Sequence, residues 1–391
     1  MIAGENIKGV FFVGIGGIGM SALARYFKSL GYNISGYDRV ESDITRSLVE
    51  DDCFVTCTDN VTAIPPMYRD PAVKQMIQVI YTPAVPAENK ILSWFNSNGY
   101  MVNKRSEILG RISEKTDTLA IAGTHGKTTV STMLAHLLRQ SHVGCSAFLG
   151  GISKNYNTNF LEGHNSRYTV MEADEFDRSF LRLTPCMAAV TSVDPDHLDI
   201  YGDLKTMILA YNEFCSRIKR PGSLVISSRI KDKLTLPEGI SVFTYGLDEN
   251  ADYRAVNISH EEGTNIFDLK APDRIIEGLK VTMPGIVNIE NAVAAMAIAL
   301  RCGVSDQELK ESIPHFKGVQ RRFDIRINRP GLVFIDDYAH HPEEIKACIE
   351  SVREHFKNRK ITAIFQPHLY SRTKDQAEGF ARILDKLDEV I

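Results

Sequence analysis

The sequence predicts an α/β protein of two or three domains built on parallel sheets. Three observations carry that prediction. Residues 118–138 read T-L-A-I-A-G-T-H-G-K-T-T-V-S-T-M-L-A-H-L-L, an apolar run, a glycine loop, then apolar residues at helical spacing. Residues 9–38 repeat the order around G-I-G-G-I-G and close on a second apolar run and Asp38. Later apolar runs, Tyr168–Met171, Met187–Val193 and Leu332–Ile335, each stop at a cluster of acids, the last two with histidines among them. Such clusters gather where the strands of a parallel sheet end.

The first of these stretches organises the rest. Leu119–Ala122 is a buried strand, Gly123–Thr129 a loop, and Val130, Met133, Leu134, Leu137 and Leu138 share one helix face. Glycines let backbone N–H groups close on phosphate oxygens, and the helix N-terminus adds its positive end. Gly123, Thr124, His125, Gly126, Lys127, Thr128 and Thr129 are therefore the candidate phosphate binders. Lys127 would reach the terminal phosphates, and the Thr128 hydroxyl suits Mg²⁺. The longer form of the pattern has a glycine where Ile121 stands, so this is the shorter G-T-x-G-K-T kind. The alternative is a glycine turn that merely caps an amphipathic helix.

Downstream, Tyr168–Met171 runs into Glu172-Ala173-Asp174-Glu175. Mg²⁺ takes oxygen ligands, commonly one or two carboxylates plus phosphate, and Glu172 at the strand end is the first choice. Asp174, Glu175 and Asp177 are either further ligands or a solvated acidic run. Met187–Val193 ends in D-P-D-H-L-D, and its tip is expected beside the phosphate-loop strand. His197 there is a candidate ligand of a second cation or of phosphate. Lys127, Glu172 and His197 are the candidate catalytic residues. Asn288 to Leu300 is an alanine-rich helix, and Asn288 and Asn291 either hydrogen-bond a base edge or cap the helix. Ser305 with Glu308 forms a capping box for the next helix.

Towards the N-terminus, Val10–Val13 leads into Gly14, Gly16 and Gly19, with Gly17 between. The following helix, a strand over Tyr32–Tyr37 and Asp38 complete a Rossmann βαβ pattern, which read alone says NAD-dependent oxidoreductase. The loop, however, places a pyrophosphate on a helix N-terminus, and any nucleotide diphosphate satisfies that. Arg105, at the start of a helix with Ser106 as its expected N-cap, is either a phosphate partner or a solvated charge. In the last third, Gly318–Phe323 reads as a hinge with two arginines, and Pro342 opens a helix to about Phe356. His340 and His341 lack the i, i+4 spacing of a helical zinc site. Ile361–Phe365 is a further expected strand, and Glu389-Val390-Ile391 the start of another.

Composition narrows the function classes. A net charge of −4 gives no basis for nucleic-acid or membrane-surface binding. Seven cysteines without metal spacing read as free thiols of a reducing cytoplasm. No leader pattern and no run of about 18 apolar residues predicts secretion or membrane insertion.

Taken together, G-I-G-G-I-G-M-S (14–21), G-T-H-G-K-T-T (123–129), E-A-D-E-F-D (172–177), D-H-L-D (196–199), N-I-E-N-A (288–292), G-V-Q-R-R-F (318–323), D-D-Y-A-H-H-P (336–342) and F-Q-P-H-L-Y-S-R-T (365–373) resemble the Mur ligase family, nearest its alanine-adding branch. The resemblance implies three domains: a Rossmann-like UDP-sugar binder (1–110), a central ATPase with a parallel sheet (111–322) and a C-terminal α/β domain (323–391), shorter here than in the family. It implies ATP and Mg²⁺ as cofactors. The implied reaction joins L-alanine to the lactyl carboxylate of UDP-N-acetylmuramate through an acyl phosphate, in peptidoglycan precursor synthesis. It assigns Gly14, Gly16, Gly17 and Gly19 to the UDP diphosphate, with Asp38 and Arg105 grouped beside it. Thr128 and Glu172 would hold one Mg²⁺ and His197 would help hold a second. Asn288 and Asn291 would contact adenine, and Arg322, Asp337 and His341 the rest of ATP. His368 and Arg372 would receive the amino acid. His197 and His368 stay open as bases for the amine, and monomer and homodimer both stay open. Val287, Ala339 and Leu369 depart from the family's usual His, Gly and Arg, and Tyr211 or Asn212 falls where siblings carry a carbamylated lysine. A tripeptide-adding ligase, an oxidoreductase and a nucleotide-gated binding protein are the competing readings.

Overall fold

The computed structural model describes residues 7–163, 166–261, 264–367 and 370–391. The N-terminal unit carries β1 (Gly9–Val13), α1 (Ile18–Ser29), β2 (Asn33–Tyr37), α2 (Asp43–Glu50), β3 (Phe54–Thr56), α3 (Pro66–Arg69), β4 (Ile77–Tyr81), α4 (Lys90–Ser97), β5 (Met101–Lys104) and α5 (Arg105–Lys115). Its five strands run parallel in the order β3-β2-β1-β4-β5. Every residue of β1 is buried, because helices cover both faces of the sheet. The order reverses at β1, so the glycine loop opens at the switch point where ligands bind. Helix α5 starts at Arg105 rather than after Ser106, and Glu107 accepts the Lys104 N–H at 2.9 Å. It continues unbroken through residue 110 to Lys115.

The central unit follows with β6 (Asp117–Ala122), α6 (Lys127–Arg139), β7 (Ser146–Ser153), β8 (Thr158–Leu161), β9 (Tyr168–Glu172), β10 (Met187–Val190), α7 (Leu198–Tyr201), α8 (Leu204–Ser216), β11 (Ser223–Ser227), β12 (Ser241–Gly246), β13 (Tyr253–Glu261), β14 (Thr264–Lys270), β15 (Ile275–Val281), α9 (Ile286–Arg301) and α10 (Asp306–Ser312). One sheet takes them in the order β15-β14-β13-β12-β11-β10-β6-β9-β7-β8. Strand β6 sits between β10 and β9, parallel to both, so the tips expected to converge do so. Strand β10 ends at Val190, three residues short of the apolar run, which frees Thr191–Val193 to bend over the loop after β6.

Alternation along β6 sends Leu119 and Ile121 to the face covered by α6 and α9, and Ala120 and Ala122 to the other. Helix α9 buries Ala292, Ala294, Ala295, Ala297 and Ala299 completely, and their small volume lets it lie close against α6. The opposite face shares one apolar cluster with the N-terminal unit. There Tyr26 of α1 packs its ring 5.2 Å from Phe148 and 5.7 Å from Phe160. Asn159 donates to the Ile18 carbonyl at 2.5 Å and accepts from Arg25 at 2.5 Å. The start of α1 is thereby fixed relative to the central loop.

The C-terminal unit has β16 (Asp324–Arg329), β17 (Leu332–Asp336), α11 (Pro342–His355), β18 (Thr362–Ala363), α12 (Tyr370–Asp375), α13 (Ala377–Leu384) and β19 (Glu389–Val390). The strand expected over 361–365 shortens to the two residues of β18, which pair parallel with β19. Ile345, Ile349, Phe380 and Ile383 form its small core. Among the described residues no helix is long and apolar enough to cross a membrane, and all seven cysteines are free thiols.

Candidate active site

The loop between β6 and α6 is held open by its neighbours. Gly123 has φ +132°, and a Cβ there would lie 2.0 Å from the Thr191 hydroxyl; Gly126 has φ +84° and abuts Asn291. Only glycine meets both demands. Thr191 donates to the His125 carbonyl, while Ser192 accepts the His125 N–H at 2.8 Å and bonds the Thr124 hydroxyl at 2.9 Å. Thr191 and Ser192 had no motif to mark them; their role follows from β10 lying next to β6.

Lys127 curls back over this loop. Its ammonium donates to the Gly123 carbonyl at 2.6 Å and to Glu175 at 2.8 Å. Burial opposes the charge on Lys127, but the carboxylates of Glu175, Glu172 and Asp174 outweigh it and raise its pKa. Glu175 is 1% exposed, and burial pushes its carboxyl up to about 7 despite Lys127. The open alternatives for the acidic run thus separate: Glu175 is an interior partner of the loop lysine, not a solvated charge.

Glu172 is the last residue of β9, opposite Ile121. The Thr128 side chain faces it, yet its Oε2 is buried without a hydrogen-bond partner among the described residues. A hydroxyl beside an orphaned carboxylate oxygen at the foot of a phosphate loop is the donor set a hard divalent cation takes. Room for that carboxylate comes from Gly150, where a Cβ would lie 2.1 Å from Glu172 Oε2. Gly150→Ala is therefore expected to displace Glu172 and raise the Mg²⁺ concentration for half-maximal turnover by roughly tenfold or more; a Mg²⁺ titration checks it.

His197 has φ +52° at the start of the single turn α7. Its Nε2 lies 3.6 Å from Asp196 and 3.9 Å from Glu175, and these three residues group as possible ligands of one ion. Burial lowers the His197 pKa, which keeps the imidazole neutral and able to coordinate. Thr128–Glu172 and Glu175–Asp196–His197 are thus two separate donor sets. Asp196 also takes a fork from Arg372 of α12, through Nε at 3.2 Å and Nη2 at 3.1 and 3.3 Å, with both side chains at most 8% exposed. Burial raises the Asp196 carboxyl, but His197 and Arg372 outweigh it and bring its pKa below normal. His368 lies outside the described residues.

The hinge residues converge from the other side. Arg322 lies 3.8 Å from Glu344, whose carboxylate also bonds the loop's His125 at 3.3 Å and the His340 N–H at 3.0 Å. Glu344, in the first turn of α11, is a contact of the C-terminal unit with the phosphate loop. Asp337 accepts the Phe323 and Ala339 N–H groups at 2.7 Å each, so it braces the hinge backbone as well as lining the cavity there. Ala339 does not have positive φ, so it needs no glycine. His341 is 5% exposed, and its ring lies 4.9 Å from that of His125, tilted 45° to it.

At the N-terminal glycine loop the amides divide. Gly14 and Ile15 donate to the Tyr37 carbonyl at 2.7 and 3.0 Å, and Gly16 donates to Asp38 at 2.7 Å. Gly17 is the N-cap of α1, and Gly19 lies under the Arg105 guanidinium, where a Cβ would be 2.3 Å from Nη1. Asp38 therefore braces the loop, and a diphosphate would meet the first amides of α1 and Arg105. Arg105 is not a solvated charge: it also bonds Asp174 at 3.3 Å, joining the two units.

Two cavities meet at the phosphate loop. The larger, about 1120 Å³, runs from Ile18, Arg25 and Ser42 past Lys127, Glu172 and His197 to Arg322 and Arg372. The smaller, about 420 Å³, lies beyond Gly126 and is walled by Asn288, Asn291, Arg322 and Asp337. The larger cavity is lined by Thr124, Lys127, Thr128, Glu172, Asp174, Glu175 and His197 and the smaller by His125, Thr129, Asn288, Asn291 and Asp337, whereas Asp177 pairs with Lys104 outside both.

Comparison with known proteins agrees with this geometry. The Mur ligase family catalytic domain matches residues 10–116, the Mur ligase middle domain 121–299 and the Mur ligase glutamate ligase domain 321–391. The UDP-N-acetylmuramate–L-alanine ligase of Phocaeicola vulgatus is 47% identical over 99% of this chain and 84% of its own length. That of Porphyromonas gingivalis is 49% identical over 98% of this chain and 84% of its own. The crystal structure of the UDP-N-acetylmuramate–alanine ligase of Thermotoga maritima superposes with a TM-score of 0.82, at 29% identity, covering 98% of this chain and 84% of the other. A murein peptide ligase from Psychrobacter arcticus shares the fold, with a TM-score of 0.74 at 22% identity, over 93% of this chain and 79% of its own. With three consecutive domain matches, relatives near half identity along almost the whole chain, and a loop, acidic strand end and hinge that meet in space, this chain belongs to the Mur ligase family.

Proposed function

We propose that this chain joins L-alanine to the lactyl carboxylate of UDP-N-acetylmuramate, with ATP cleaved to ADP and phosphate. The observation that carries the reading is the larger cavity, which connects the α1 N-terminus, the Lys127 loop and Arg372 without interruption. ATP would place its base in the smaller cavity and its phosphates on the Gly123–Thr129 amides. The UDP diphosphate would sit at α1 and Arg105, pointing the lactyl end at the γ-phosphate.

The chemistry then divides into two substitutions. A lactyl carboxylate oxygen attacks the γ-phosphorus and the bond to ADP breaks, giving an acyl phosphate. The amine of L-alanine attacks the acyl carbon, phosphate leaves, and the amine proton passes to a base. Both steps bring anions together, and Lys127 with the loop amides supplies the fixed positive charge. Thr128 and Glu172 would hold Mg²⁺, and His197 with Glu175 and Asp196 a second ion; bound there, these ions spread phosphate charge. Arg372 would take the alanine carboxylate, since its Nη1 donates to no described residue. ATP as substrate and seven free thiols fit a cytoplasmic enzyme.

The test is phosphate release from ATP and Mg²⁺ with each substrate omitted in turn. Release that needs both UDP-N-acetylmuramate and L-alanine is expected. Release without an amine, or better with a tripeptide than with alanine, overturns the proposal.

A further inference from the structure

The smaller cavity holds a charged pair that the reaction above does not use. Arg229 donates from Nη2 to Glu290 Oε1 at 2.5 Å, and both line the cavity beside Gly126. Glu290 is on α9 between the two asparagines, and its side chain is 17% exposed. Ile230, Tyr245 and Met283 give the cavity apolar walls suited to the face of a base.

The asparagines are partly engaged already. Asn288 donates to the Pro284 carbonyl at 2.7 Å and accepts from Asn291 at 3.3 Å. The Asn291 carbonyl oxygen faces the phosphate loop, 2.8 Å from where a Cβ of Gly126 would be. Val287 contributes no polar atom. The carboxylate from this helix that remains open to the cavity is Glu290, with Oε1 on Arg229 and Oε2 left to accept.

We propose that Glu290, positioned by Arg229, reads the group at position 6 of the purine and makes the site select a 6-amino nucleotide over a 6-oxo one. This rests on the ATP reading above. An ionised carboxylate only accepts hydrogen bonds; burial raises the Glu290 carboxyl, and the Arg229 guanidinium in contact opposes that rise. The exocyclic amine of adenine donates to it. The 6-oxo group of hypoxanthine presents a second acceptor, and two acceptors repel. Fixing Oε1 on the guanidinium leaves one oxygen, in one place, to make the distinction. A hydrogen bond to a charged group corresponds to about 10–100-fold in affinity.

ATP and ITP differ in the group at position 6 and in the N1 proton that accompanies a 6-oxo group, and the ratio of their kcat/KM values is the readout. The wild-type chain is expected to favour ATP by about tenfold or more. Glu290→Gln, whose amide can turn its N–H toward a 6-oxo group, is expected to bring the ratio to within about threefold of unity. Arg229→Ala lowers the ratio by releasing Glu290, and Arg229→Lys restores part of it. A merely structural role would change both nucleotides alike and leave the ratio where it was. A wild-type ratio in Glu290→Gln overturns the proposal, and so does unchanged ADP-against-IDP binding if that variant loses turnover. If wild-type release from ATP requires neither sugar nor alanine, the ligase reading fails; if it requires both and the ratio is unmoved, only the role of Glu290 fails.

Discussion

Lys127→Met is expected to reduce alanine- and sugar-dependent phosphate release by about 10³-fold, measured at saturating substrates. One preorganised donor aimed at developing transition-state charge contributes about 10²–10³-fold. Lys127 lies at the upper end because it also offsets Glu172, Asp174 and Glu175, whose fields all act on it. Without the ammonium those carboxylates repel the nucleotide as well as the lactyl anion. Turnover within about threefold of wild type would remove Lys127 from the phosphate site.

The same substitution has a stability signature with a definite sign. In the wild type, burial raises the Glu175 carboxyl from its ordinary 4.5 to about 7 even with Lys127 at 2.8 Å. Removing the ammonium raises it further. A carboxyl whose folded pKa exceeds its unfolded value contributes stability that is full below the unfolded pKa and lost as pH rises through the folded one. The difference in melting temperature between wild type and Lys127→Met should therefore be small near pH 5 and grow towards roughly pH 8. Lys127→Met with Glu175→Gln should lose that growth without regaining turnover, which separates the fold's need for the pair from the reaction's need for the lysine. A constant difference across the range would mean the buried pair is not coupled as its geometry indicates.

The parts of this site that the sequence made legible are those where local chain order is enough. Strand, glycine loop and helix at 118–138 need no distant partner to be read, and β6, its loop and α6 stand where the pattern puts them. Glu172 was legible because a strand's last residue is also its tip. What was not legible depends on strand neighbours and on closure between units. Ser192 and Thr191 reach the loop only because β10 lies beside β6. Glu344 reaches His125 across 219 residues, and Arg372 reaches Asp196 across 176. Asp38 shows the limit from the other side: its offset from the glycines completes the dinucleotide pattern, and in the fold its carboxylate accepts the Gly16 N–H. Sequence spacing gives a residue's position along the chain, while the direction of its side chain is set by whichever donor lies nearest.

Arg372→Ala is expected to raise the KM for L-alanine by about 10²-fold while changing the KM for ATP much less. The Arg372 fork holds both Asp196 oxygens, and both groups are buried between α12 and the strand-end loop of the central unit. Removing one partner of such a pair costs about 3–5 kcal/mol, because the other charge stays buried without compensation. That cost falls on the contact between the units, since neither residue belongs to an apolar core. Two effects are thus superposed, loosened closure and a lost carboxylate partner, and a second substitution separates them. Arg372→Ala with Asp196→Asn removes the stranded charge, so closure should recover, and with it the thermal stability. The alanine KM should stay high, because an asparagine cannot replace a guanidinium as partner of an incoming carboxylate. Arg372→Lys should fall between, since a point charge cannot hold Asp196 and a second carboxylate in fixed geometry. Recovery of the alanine KM in the double variant would show that Arg372 only positions Asp196, and the amino acid's carboxylate would then have to be held elsewhere in the larger cavity.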